Sequence, residues 1–152
     1  MSVACGLFHT LALSDVGDVY SWGRGFEGQL GILKSVETSS SPLLIPNYFR
    51  KEGTELKKVI KSPVRFIACG AYHSMAVDSN QQLYCWGEAR YGQTGHGKTI
   101  KETLPTLVKI QKEGVDKKIE MVSGGFGQTL ALTTEGEIFS WGMNVKGELG
   151  LG

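Results

Sequence analysis

Apolar and polar positions in this chain alternate with a period of two. Leu11 and Leu13 fall on one side of an extended segment, with Thr10 and Ala12 on the other; further on, Tyr20 and Trp22 oppose Val19 and Ser21. The polar turn SDVGD joins the two stretches, and its Gly17 takes a positive φ with little strain. The pattern predicts a β-hairpin whose two faces are both small or apolar. Such a sheet needs cover on both sides, which stacking sheet upon sheet provides.

The hairpin is written three times, in repeat motifs spanning residues 3–33, 67–97 and 122–152, with DSNQQ and TTEGE as the later turns. Trp22, Trp86 and Trp141 mark the register. The same residue recurs in every copy at Gly6/Gly70/Gly125, at Ala12/Ala76/Ala131, at the three tryptophans, at Gly23/Gly87/Gly142, at Gly28/Gly92/Gly147 and at Gly31/Gly95/Gly150. Self-similarity at a period of about 55 to 64 residues marks a repeat architecture. Between copies, Leu43–Ile45 after Pro42 and Thr106–Ile110 after Pro105 read as third strands. VRFIAC up to Cys69 and IEMVS up to Ser123 read as fourth strands. The first connection is longer by about eight residues, so 47–61 is expected to be an inserted loop. The whole chain, 1–152, reads as one repeat array. Its expected class is all-β, with blades of four-stranded antiparallel sheet and about two and a half blades of a larger propeller.

The run from the Cys-Gly or Gly-Gly of each copy to GQLG, GQTG or GELG resembles the regulator of chromosome condensation repeat family, whose members build seven-bladed propellers. Three copies do not close such a ring. The expectation is therefore a segment of a larger propeller, or several copies that assemble into one. The resemblance implies two functions. The first is a non-enzymatic module that binds other proteins, within a larger protein or assembly. The second is guanine-nucleotide exchange on a small nuclear GTPase. Other family members are implied to carry ubiquitin-ligase or kinase domains, or to work at cilia and centrosomes. The ultraviolet photoreceptor branch uses a Gly-Trp-Arg-His-Thr motif; the matching stretches here, from Gly6, Gly70 and Gly125, lack the tryptophan.

Composition adds little. The chain has 152 residues, 41% hydrophobic and 20% charged, and a net charge of +1; nucleic acid is not an expected partner. No apolar run approaches the roughly 20 residues of a membrane-spanning helix. Three cysteines without a close pair point away from a disulfide framework and toward an intracellular setting, cytoplasmic or nuclear.

Three motifs imitate chemistry. Gly92–Thr99 satisfies the phosphate-loop pattern, yet Gly92 and Gly95 repeat Gly28 and Gly31, and the following KETLPTLV reads as a strand. His9 and His73, each four residues after a cysteine, imitate metal ligands, but the third copy has Gln128 and Gly124 at those places. A hydrogen bond to backbone within or between blades suits His, His and Gln alike. SGGFGQT from Ser123 is the third copy of ACGLFHT rather than a dinucleotide loop. No catalytic residue, cofactor or metal is expected. In the insertion Arg50, Lys51, Lys57, Lys58 and Lys61 form a basic set, read as solvated.

Partner contact is expected where the copies disagree, in the turn after each Trp-Gly. The candidates are Arg24, Phe26 and Glu27 in the first copy, Glu88, Arg90 and Tyr91 in the second, and Lys146 in the third.

Overall fold

The computed structural model describes every residue except 34, 35, 47, 53, 54, 60 and 61, and the backbone alone of 48–52 and 55–59. Among the described residues there are strands and turns and no helix. The first blade holds β1 (Ser2–Cys5), β2 (His9–Leu13), β3 (Val19–Arg24) and β4 (Thr38–Leu44), antiparallel and in that order. A hairpin of β5 (Tyr48–Glu52) and β6 (Glu55–Val59) follows. The second blade runs β7 (Val64–Cys69), β8 (His73–Asp78), β9 (Leu83–Gly87) and β10 (Glu102–Val108). After the two-residue strands β11 (Gln111–Lys112) and β12 (Val115–Asp116), the third sheet is β13 (Ile119–Gly124), β14 (Gln128–Thr133) and β15 (Ile138–Gly142).

The segment expected to be a loop is thus largely paired. β5 and β6 are antiparallel, from Tyr48↔Val59 to Glu52↔Glu55, and β5 adds to β10 in parallel at Thr106↔Phe49. An outer strand such as β10 carries a row of free backbone groups, and the hairpin covers part of it. The basic side chains of this segment lie outside the described residues.

Two further expectations are refined. The stretches read as fourth strands, β7 and β13, open the next blade instead of closing their own. β7 pairs with β8 and β13 with β14, while β1 adjoins β7 and β7 adjoins β13 along the inner edge. The prolines lie inside β4 and β10 instead of ahead of them. Each sits at a register shift, between the partners of Ser21 and Gly23 for Pro42 and between Glu102 and Thr106 for Pro105. A bulge is where a ladder tolerates a residue without an N–H.

Burial follows the stacking. In the middle blade every residue of β8 and β9 is buried. In β2 only the alternate residues His9, Leu11 and Leu13 are fully buried, and in β14 only Thr129, Ala131 and Thr133. One core therefore joins Leu11, Leu13 and Val19 to Ala76, Tyr84 and Trp86; the other joins Met75, Val77 and Cys85 to Ile119, Val122 and Ala131. The two faces of the middle sheet each supply half of a core.

Candidate functional site

The blades are registered by a repeated polar relay. Ser74 Oγ donates to the carbonyl of Gln29 at 2.8 Å, so it accepts from His9 Nε2, 2.9 Å away; Trp86 Nε1 donates to the same carbonyl at 2.9 Å. One blade on, Thr129 Oγ1 donates to Gln93 O at 2.8 Å and accepts from His73 Nε2 at 2.9 Å, and Trp141 Nε1 donates to Gln93 O at 2.9 Å. Both imidazoles are thereby held as neutral Nε2–H tautomers. Burial pushes each down to about 4 from the ordinary 6.5. The histidines do bridge blades, as the sequence suggests, but through a neighbouring hydroxyl that passes the bond on to backbone.

The shared glycines keep room for this relay. A Cβ on Gly6 or Gly70 would land on the ring of His9 or His73, and one on Gly125 would land on Gln128. A Cβ on Gly31 would lie 2.7 Å from Trp86 Nε1, and one on Gly95 2.9 Å from Trp141 Nε1. Gly92 and Gly95 have positive φ like Gly28 and Gly31, Lys98 is exposed, and β10 rather than a helix follows. The phosphate-loop match is therefore scaffold. Cys85 is buried, and burial holds the Cys69 thiol up at about 12.

Cys5↔Thr10, His9↔Gly23 and Arg24↔Thr38 pair at one end of the first sheet, so the β1–β2 turn and the β3–β4 loop emerge together. The equivalent loops of the other blades emerge at the same end, here called the loop face. The turn containing Val16 lies at the opposite end.

On the loop face five of the seven sequence candidates converge. Arg24, Glu27, Glu88, Arg90 and Tyr91 line a depression of about 320 Å³, together with Tyr72, Gln93 and Phe126. Phe26, outside its lining, lies under the Arg24 guanidinium at 5.0 Å; Tyr72 lies 5.9 Å from the same group. Arg24 also grips Glu27, with Nη2–Oε1 at 2.8 Å and Nε–Oε2 at 3.1 Å, and this holds the Glu27 carboxyl below its ordinary range. Glu88 Oε1 accepts the N–H groups of Ala89 and Arg90, leaving Arg90 Nη2 3.8 Å from Glu88 Oε2. Lys146 stays exposed and apart from this depression.

Sequence comparison among the copies misses an aromatic row. Phe8 and Tyr72 have ring centroids 6.3 Å apart, and Tyr72 meets Phe126 edge-on at 6.0 Å. Phe8 is 57% exposed and Phe126 54%. Phe8 and Tyr72 hold the same place in the motif, one residue before the histidine. In the third copy that place is Gly127, where a Cβ would come within 2.8 Å of the Tyr91 ring, and the aromatic moves back to Phe126. That one-residue displacement hides the row from a column-by-column reading.

Comparison with known proteins gives concordant matches. A family model described as the regulator of chromosome condensation (RCC1) repeat matches residues 16–77 and 80–132, and a second model of the same description matches 2–29 and 64–93. The chain is 33% identical to the ultraviolet-B receptor UVR8 of Arabidopsis thaliana over 99% of its own length and 31% of the receptor. It is 36% identical to the human E3 ubiquitin-protein ligase HERC2 over its full length, which is 3% of the ligase. Among solved structures it superposes on Prp20p from Saccharomyces cerevisiae, described with its binding to Gsp1p and histones. The TM-score is 0.76 at 26% identity, covering 99% of this chain and 34% of that one. The chain thus spans about a third or less of the length of each of these three proteins.

Proposed function

The chain belongs to the regulator of chromosome condensation (RCC1) repeat family, and from that premise we propose that it is a non-enzymatic propeller module whose loop face binds other proteins. The observation that carries this reading is the row Phe8–Tyr72–Phe126, half exposed and flanked by Arg24, Phe26 and Tyr91. Aromatic and arginine side chains on loops held by stacked sheets are what an interface anchor requires. Protein binding by Prp20p, a structural neighbour, supports the same use of the fold. The open face of the first blade carries Thr10 and Trp22, the equivalents of Ser74 and Trp86 in the relay; the third blade carries Gln128 and Glu148, the equivalents of His73 and Gln93. Each fits a neighbouring blade, so the module is proposed to work within a larger ring.

The test compares Phe8→Asp and Phe126→Asp with Val16→Asp at the other end, in the full-length protein, by recovery of bound partners. Loss with the first pair and retention with the third is expected; the reverse pattern overturns the loop face as the interface.

Exchange on a small GTPase is a second reading, favoured by the match to Prp20p with its described binding to Gsp1p. Stimulated nucleotide release from a panel of small GTPases supports it; an unstimulated panel removes it.

A further inference from the structure

The three copies solve one local problem differently, and the second leaves it open. In the first copy the buried Gln29 amide is used at both ends: Oε1 accepts the Glu27 N–H at 3.0 Å and Nε2 donates to Glu27 Oε2 at 3.1 Å. In the third copy a carboxylate replaces the amide, and Glu148 Oε2 accepts the Lys146 N–H at 2.8 Å. In the second, Gln93 is 1% exposed and its Oε1 accepts the Tyr91 N–H at 2.9 Å. That bond fixes which end of the amide is which. Tyr91 stands where Glu27 stands and has no carboxylate, so Gln93 Nε2 meets no acceptor among the described residues. Gln93 lines the depression between the second and third blades.

We propose that this depression takes an acidic side chain of a protein partner, whose carboxylate accepts from Gln93 Nε2 and the Arg90 guanidinium in the role that Glu27 fills in the first copy. The proposal rests on the loop face being the interface and names the chemistry of what binds there. Of the four carboxylate oxygens that line the depression, three are hydrogen-bonded and the fourth, Glu88 Oε2, lies 3.8 Å from Arg90 Nη2; the unused donors are Gln93 Nε2 and the rest of the Arg90 guanidinium. Both Glu27 oxygens are held by Arg24 and Gln29, and Glu88 Oε1 takes two backbone N–H groups. Arg24 is committed to Glu27, whereas Arg90 is 74% exposed with a single contact at 3.8 Å. An exposed guanidinium and an amide N–H without an acceptor, lining the same depression, suit an anionic acceptor. Glu27 and Glu88 nearby favour a singly charged carboxylate over a doubly charged phosphate. The aromatic walls, Tyr72, Tyr91 and Phe126, suit an apolar residue next to the acid. An Asp or Glu within an apolar-acidic segment meets both demands.

The experiment selects peptides from a random phage-displayed library on the full-length protein, then measures binding of the selected peptides, fluorescently labelled, by anisotropy. Enrichment of Asp or Glu beside an apolar residue is expected. Tyr91→Glu supplies the missing carboxylate from the chain itself, as Glu27 does, and is expected to weaken binding about tenfold or more with an unchanged unfolding midpoint. Arg90→Glu is expected to do the same, while Tyr91→Phe keeps binding within about threefold. A basic or uncharged selected consensus, no selected peptide, or equal binding to Tyr91→Glu overturns the proposal. If partners remain sensitive to Phe8→Asp and Phe126→Asp but not to Tyr91→Glu or Arg90→Glu, this inference fails while the loop-face reading stands. Sensitivity confined to Val16→Asp removes both.

Discussion

His9 of the first blade and Ser74 of the second, 65 residues apart in the chain, lie 2.9 Å apart, and the hydroxyl between them hands the imidazole N–H on to the backbone of Gln29. His73 and Thr129 repeat the contact at 2.9 Å one blade later. Repetition in sequence thus becomes a repeated joint in space, with Trp86 and Trp141 closing each joint on the same carbonyl.

These joints predict a pH dependence. Burial lowers both imidazoles to about 4, while the unfolded chain binds the same protons at about 6.5. Below 6.5 the unfolded state therefore holds more protons than the folded one. Stability is full above that value and falls as pH drops toward 4, by up to about 1.4 kcal/mol per pH unit for each histidine. Denaturant midpoints across this range check it. His73→Gln, which places there the residue of the third copy, is expected to reduce the slope.

Ser74→Ala removes the acceptor from a buried imidazole N–H, and Thr129→Ala does so at the next joint. Each is expected to cost about 1 to 3 kcal/mol, because the donor is stranded out of reach of water. Thr129→Ser keeps the hydroxyl and should cost less than either alanine variant in the same urea titrations.

Gly31 and Gly97 have nearly the same positive φ, 67° and 66°, but different surroundings. A Cβ at Gly31 meets Trp86 Nε1 at 2.7 Å, while at Gly97 it meets nothing within 4 Å. Gly97→Ala should therefore show the conformational cost alone, about 1 kcal/mol, and Gly31→Ala about 3 kcal/mol or more. Equal midpoints for the two variants contradict the close approach of the tryptophan.

Cys85 is sealed between the second and third blades, and burial raises its thiol well above the ordinary range. Cys5 is exposed. A thiol reagent at mildly alkaline pH is expected to modify Cys5 in the native protein and to reach Cys85 only at the rate of unfolding, as followed by mass spectrometry.

The scaffold is legible in the sequence because its demands recur. Gly31 and Gly95 must both admit a tryptophan, so glycine returns in all three copies, and His9 and His73 must both reach a hydroxyl, so histidine returns in two of the three. The hairpin at 48–59 has no counterpart to align with. Its signal is local, two extended runs flanking Gly53, and the difference in length between the two connections marks an insertion without marking its pairing. The candidate site was half legible. Arg24, Arg90 and Tyr91 stand out as differences between copies, but Phe126 reaches the aromatic row from a shifted position, and Gln93 looks like part of the common GQ motif. Its significance comes from a partner, Glu27, that the second copy replaced with Tyr91.

The most direct measurement is hydrogen exchange on the full-length protein with and without a bound partner protein. New protection is predicted in the loop-face segments 6–8, 24–29, 70–72, 88–93 and 125–127. Protection confined to the opposite turns, 14–18, 79–82 and 134–137, with the loop face unchanged, would contradict the assignment of the loop face as the binding surface.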